Sequence, residues 1–264
     1  MGVLNSYNHL WKKTMEVKWY GINALEFRCA NGTDFAVDLY VSRDRVKLNI
    51  PSEVDKYIQS RPQWTLMTHA HWDHLADMPQ IIAKTDTILY ASRTACNIMR
   101  TMGVPEGNLR EIHYGDNLEM PGGVTVQILE SRHMGFLDEA PGYSEPPARE
   151  SLALADNWRC GEVFAFLIHA DGQRVFNFGS ANLLEGPQTP IECDVCIGGI
   201  SRWKEGFPQL LQRSVRCQYL IPTHHDEFRK PLSEFHLRDD LTRLQAVLPD
   251  LPARELTPLT WTRL

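Results

Sequence analysis

The chain has 264 residues, 43% of them apolar and 23% charged, with 33 acidic against 27 basic side chains for a net charge of −6. That profile belongs to a globular protein and excludes a disordered or fibrous chain. The acidic balance and the lack of a dense Lys/Arg block argue against a nucleic-acid surface. No apolar run approaches the ~20 residues that cross a bilayer, and Lys12 and Lys13 interrupt the segment Met1 to Tyr20, so no stable membrane insertion and a cytoplasmic location are expected. Six cysteines are too sparse for a disulfide scaffold, which predicts free thiols. One domain spanning 1–264 is expected.

In chain order, strands are predicted over Glu16 to Tyr20, Ala24 to Ala30 and Phe35 to Val41, the last two joined by the Asn31-Gly32 turn signal. A helix follows over Pro51 to Ser60 with Ser52 as its cap, then a short strand from Thr65 to Thr68. Next come a helix over Leu75 to Lys84, a strand over Thr87 to Ala91, and a helix from Ser92 to Met102 closed by Gly103. Between His133 and Ser151 lies a Pro/Gly/Glu-rich connection suited to a lid or a surface loop. In the second half, Val124 to Glu130, Val163 to His169, Arg174 to Phe178 and Cys217 to Ile221 read as strands, with Asp171-Gly172 as a hairpin turn. Cys193 and Cys196 fall in a stretch that reads as a strand, where i and i+3 face opposite ways, so they are expected to pack rather than share a metal. A last helix from Ser233 would present Leu237, Leu241, Leu244 and Leu248 on one face.

The chemistry concentrates in Thr68-His69-Ala70-His71-Trp72-Asp73-His74, which sets three imidazoles and one carboxylate within six positions at a strand end. A loop there can fold back so that His69 and His71 face one metal while Asp73 and His74 face another; these are the donors that borderline divalent ions prefer. A catalytic metal needs further ligands from distant loops. His133 and His224 each stand just past a predicted strand, and His225 competes with His224 for the role.

On these residues, with Phe35-Ala-Val-Asp38 and Pro222-Thr-His224, the chain from about Glu16 to about Phe228 resembles metallo-β-lactamase-fold hydrolases. Gly21-Ile-Asn-Ala-Leu25 is similar to the opening of the branch containing L-ascorbate-6-phosphate lactonase and N-acylphosphatidylethanolamine phospholipase D. The resemblance implies an α/β fold, a four-layer αββα sandwich. It implies one ion on His69, His71 and His133, a second on Asp73, His74 and His224, and Asp38 behind the ligand loop, supporting it by hydrogen bonds. At the position where the family places a bridging Asp, this chain has Ser180, a neutral and weak ligand that costs the second ion about one charge of attraction. The cofactor implied is zinc, as one or two ions, with iron or manganese as alternatives.

The activity implied is hydrolysis of an ester, lactone or phosphodiester bond by a metal-bound hydroxide, with Asp73 orienting the hydroxide and His224 steadying the leaving oxygen. A small anionic molecule is the expected substrate, held by Arg132, Arg202, Lys204 and Arg229, with Trp72 and Trp203 as an aromatic wall. A homo-oligomer is compatible with these features. The rival readings are a mononuclear iron oxidoreductase on the same fold and a non-catalytic binding protein with a degraded second site.

Overall fold

The computed structural model describes residues 14–134, 141–180, 182–184 and 189–264. Lys12 and Lys13, and residues 135–140 of the Pro/Gly/Glu-rich connection, lie outside them.

The first half runs β1 (Glu16–Trp19), β2 (Leu25–Arg28), β3 (Asp34–Val37), α1 (Pro51–Tyr57), β4 (Trp64–Leu66), α2 (Trp72–Leu75), α3 (Met78–Thr85), β5 (Ile88–Ala91), α4 (Arg93–Thr101) and β6 (Leu109–Glu111). The second runs β7 (Asn117–Met120), β8 (Val124–Glu130), β9 (Phe164–Ala170), β10 (Gln173–Asn177), β11 (Ile191–Glu192), β12 (Val195–Gly199), α5 (Phe207–Ser214), β13 (Val215–Arg216), β14 (Tyr219–Thr223) and α6 (Asp240–Val247). The final strand β15 (Thr262–Arg263) returns to pair with β1.

One sheet has the order β15-β1-β2-β3-β4-β5-β6 and the other β14-β12-β10-β9-β8-β7. Their facing surfaces share one apolar layer in which Trp19, Phe27, Phe35 and Trp64 meet Phe164, Phe166, Ile197 and Ile221. The outer face of the first sheet is covered through Val54, Ile81 and Ile98 of α1, α3 and α4. Leu210 and Leu211 of α5 and Leu244 of α6 cover the second. The result is the expected α/β sandwich of four layers, αββα. Strands β3 to β6 are mutually parallel, as are β10, β12 and β14. Parallel strands bring their carboxyl ends to one edge, where ligands of α/β folds usually bind.

The turn signals at Asn31-Gly32 and Asp171-Gly172 form the hairpins they predict, and the Ser92 hydroxyl caps α4 by accepting the Ala95 N–H at 3.3 Å. Other elements differ. Ser52 lies inside α1, whose cap is Ile50, because Pro51 supplies the first turn without needing a hydrogen bond. The helix expected over Leu75 to Lys84 is broken: Asp77 turns its carboxylate away to accept the N–H groups of Val41 at 2.7 Å and Ser42 at 2.8 Å. Around Ser233 there is only one 3-10 turn, Leu232–Glu234, and Leu237 is an exposed residue bridged to Asp226, so α6 begins at Asp240.

Cys193 and Cys196 are both buried, as expected of packed thiols, but they do not lie on one strand. Cys193 precedes β12, and the β11–β13 and β12–β14 ladders continue in one register that sets Cys193 alongside Cys217. Cys217 is thereby brought near Cys193 and Cys196, and the Cys193 thiol donates to the Arg216 carbonyl at 3.7 Å. Periodicity from a single strand does not apply across the break. All six cysteines are free.

Candidate metal centre

His69 follows β4 by three residues and is 1% exposed. The Thr68 hydroxyl donates to Asp38 Oδ2 and lies 3.0 Å from His69 Nδ1. A carboxylate only accepts, so the single hydroxyl proton is committed and His69 Nδ1 must donate to Thr68 Oγ1. That leaves Nε2 with a free lone pair, and this buried atom has no hydrogen-bond partner among the described residues. His74 is set in the same manner, its Nδ1 2.9 Å from Asp38 Oδ2. Asp38, buried and with φ +47°, also accepts the Thr68 N–H at 2.7 Å, so it anchors both ends of the ligand loop.

His71 opens the short α2, whose first turn carries Asp73 and His74. His133 arrives from β8, with its backbone carbonyl accepting from Asn182 Nδ2 at 3.0 Å. The His133 ring centroid lies 4.9 Å from that of His69 and 4.6 Å from that of His71. One donor atom each from Asp73, His74 and His224 lies within 4.8 Å of the others. One donor atom each from His69, His71 and Cys160 likewise lies within 4.8 Å of the others, and Cys160 has no metal-motif signal in the sequence.

His224 reaches this cluster because of a clamp at the start of the chain. Its N–H donates to the Ile22 carbonyl at 2.7 Å, and it adopts φ +52°. Asp226 accepts the Ile22 N–H at 2.9 Å and pairs with Arg43 at 2.6 Å. Gly21, at φ +92°, fits between them: an added Cβ would stand 2.6 Å from Arg43 Nη1 and 2.7 Å from Asp226 Oδ2. His225 points the other way, stacked on Trp19 at 5.2 Å and 3.4 Å from Glu255. Of the two neighbours, His224 is the one beside Asp73, at 3.6 Å.

Beneath both groups lies a buried polar link that the sequence did not reveal. Asn23 Nδ2 donates to Asp38 at 2.8 Å and to Asn177 Oδ1 at 3.1 Å, while Asn23 Oδ1 accepts from Thr223. The four residues tie the ends of β3, β10 and β14 to the first loop. Ser180 is buried beside His224; a Cβ added at Gly199 would lie 3.2 Å from His224 Cβ and 3.4 Å from Ser180 Cα.

Burial and then the surrounding imidazoles of His74, His71 and His133 push His69 well below the usual histidine range, so it is neutral and basic through Nε2 only. Burial alone would raise Asp73, but the nearby imidazoles of His224, His74 and His71 outweigh it and hold the carboxyl below its ordinary range. For His74 burial acts to lower, and the Asp38 carboxylate reverses it, so the proton is held more tightly.

Residues 47–209 match the beta-lactamase superfamily domain. The chain belongs to that family. A UPF0173 metal-dependent hydrolase of Methanobrevibacter smithii is 26% identical over 223 residues, covering 81% of this chain and 83% of that one. Among solved structures, the metallo hydrolase Igni18 of Ignicoccus hospitalis superposes with a TM-score of 0.63 at 13% identity, covering 96% of this chain and 99% of its own. The metallo-beta-lactamase fold protein YhfI of Bacillus subtilis gives 0.60 at 14% identity, covering 95% and 100%. These two likenesses concern the fold.

In this superfamily member the two donor groups open onto a cavity of about 260 Å³ lined by His71, Asp73, His133 and His224. Its wall includes Arg45, Arg159, Arg202 and Arg229. Trp72, Trp158 and Phe228 supply the apolar surface. Two expected cations are elsewhere: Arg132 does not line the cavity, and Lys204 borders a separate hollow with Glu205 and Arg213. Trp203 packs in the α5 layer beneath the Arg243 guanidinium. The turn after β12 sends Arg202, at φ +51°, toward the site and the next two residues away from it. The described part of the 133–151 connection is docked, with the Tyr143 carbonyl accepting from Asn97 of α4 at 2.9 Å. No helix among the described residues is long and apolar enough to cross a membrane.

Proposed function

We propose that the protein is a metal-dependent hydrolase acting on an ester, lactone or phosphodiester bond of a small anionic substrate. The observation that carries the reading is the buried, unpartnered Nε2 of His69 among converging imidazoles, next to a second donor group, at the base of a cavity walled by arginines. The donors fit a borderline divalent ion such as zinc: imidazoles, of which His69 and His74 have Nδ1 held by Thr68 and Asp38, and a carboxylate kept ionised. His69, His71 and His133 would hold one ion; Asp73, His74 and His224, with Ser180 beside them, would hold the second. An ion bound there would lower the pKa of a water toward about 7 and polarise the scissile bond.

Asp73 accepts a hydrogen bond from the attacking water and orients it. Its lowered proton affinity makes it a poor final proton acceptor, so its work is positioning. His224 lies at the cavity wall, where it can steady the leaving oxygen. Arg45, Arg202 and Arg229 supply charge-assisted hydrogen bonds to a phosphate or carboxylate. Gly21 to Leu25 and Pro222 to His224 support a place near the branch containing L-ascorbate-6-phosphate lactonase and N-acylphosphatidylethanolamine phospholipase D. We also read the chain as one domain, since β15 pairs with β1.

The test is metal analysis of protein purified without added metal, then assays on a nitrophenyl ester, a lactone and a phosphodiester with and without chelator. Chelation is expected to abolish hydrolysis and zinc to restore it. Arg202→Ala should raise KM for an anionic substrate about 10-fold with little change in kcat. Full metal loading with no hydrolysis of any of the three substrates would sink the proposal.

A further inference from the structure

We propose, on the reading just given of His69, His71 and His133, that Cys160 is a fourth ligand to the same ion, through its thiolate sulfur. The Cys160 sulfur and one ring nitrogen each of His69 and His71 lie within 4.8 Å of one another, and all three residues are buried. Donors on a tetrahedral zinc stand about 3.5 Å apart, given bond lengths of about 2.0–2.3 Å. The group needs only a small contraction.

The backbone holds this sulfur in place. The Ala70 N–H donates to the Cys160 carbonyl at 2.9 Å, and the Phe164 N–H donates to the Thr68 carbonyl at 2.8 Å. These two bonds bracket Cys160 against the loop that carries His69 and His71. Gly161, at φ +68°, makes the turn between them, and a Cβ there would stand 2.5 Å from Thr94 Cβ.

A buried cysteine is ordinarily a small apolar filler. Two observations set Cys160 apart. Among the described residues the other five cysteines join no such ligand group, and His69 Nε2, aimed into this one, has no hydrogen-bond partner. The chemistry also fits the departure at Ser180. Where the family's bridging carboxylate is replaced by a neutral hydroxyl, a thiolate returns one negative charge, at the first ion. Binding would release the thiol proton to solvent. Sulfur also shifts the preference of the site toward zinc and away from manganese. Four protein ligands fill a tetrahedral zinc, so a water on the first ion requires expansion to five-coordination.

X-ray absorption at the zinc edge of the zinc-loaded full chain, wild type and Cys160→Ser, reads this directly. The wild type should show a sulfur neighbour at about 2.3 Å beside the lighter atoms. In Cys160→Ser the sulfur should vanish and zinc affinity should fall at least about 10-fold. A wild-type shell of nitrogen and oxygen alone, with zinc bound, overturns the role of Cys160 and leaves the imidazole site standing. Sulfur that persists in Cys160→Ser also overturns it, by placing the ion on another thiol such as Cys217. Failure of the wild type to bind zinc defeats the underlying reading itself. If Cys160→Ser does not fold, the wild-type shell still decides.

Discussion

The two candidate ligand groups adjoin but are built differently. Around His69, His71 and His133 the rings crowd together with centroids 4.6–4.9 Å apart, and the one described anchor of His69 is a neutral hydroxyl. In the other group each imidazole faces a carboxylate, His74 on Asp38 at 2.9 Å and His224 on Asp73 at 3.6 Å. Their proton affinities diverge accordingly: His69 is pushed down by burial and its neighbours, while Asp38 raises His74. His69 is thus neutral and ready to donate a lone pair. The second group is already balanced internally by its acids, and a cation there competes with a proton.

Changes aimed at one group at a time test that contrast. His69→Ala should have the largest effect, lowering hydrolysis by about 10³-fold or more and removing the first ion, as read by assay and metal analysis. Retained activity would mean that the crowded group is dispensable. Asp38→Asn should weaken metal binding at the second group by about 10–100-fold, with a smaller loss at the first, where Asp38 acts only through Thr68. A calorimetric zinc titration would show whether the two losses differ; equal losses erase the distinction.

Ser180→Asp should do the reverse and strengthen the second ion by at least about 10-fold. The idea fails if that variant holds no more metal than its parent.

The smallest effect on activity should come from Asp77→Asn, which touches neither group. Burial pushes the Asp77 carboxyl up to about 6, against the pull of its hydrogen bonds from Ser42 and Val41. The folded state therefore binds the proton more tightly than the unfolded chain. Asp77's contribution is complete below pH ~4 and is lost as pH rises through about 6, a change of about 3 kcal/mol. Urea titrations across that range should show the wild-type stability falling relative to Asp77→Asn; parallel profiles would remove Asp77 as the cause.

Much of this architecture is legible in the chain. Asn31-Gly32 and Asp171-Gly172 are turn signals contained within two residues, and the cluster from His69 to His74 carries its ligands within one loop. Elements went unread where the local signal was weak. The strands Leu-Arg-Glu at 109–111 and Asn-Leu-Glu-Met at 117–120 are short edge strands of mixed polarity. Leu237 shares helical spacing with Leu244, yet its backbone pairs with Asp226 instead. Cys160 carries no motif, and Asn23 stands at an unspecified position within Gly21 to Leu25. What brings them to the site is hydrogen bonding to residues remote in sequence.

The chain alone determined the alternation of strands and helices, the hairpin turns and the chemical type of the donors, because each depends on residues a few positions apart. Tertiary structure decided that His224 rather than His225 turns inward, that Arg45 and Arg159 join Arg202 at the cavity, and that a thiol stands beside the imidazoles. Those outcomes depend on strand register and on left-handed turns such as Gly21 and His224, which only contacts across the whole fold can impose.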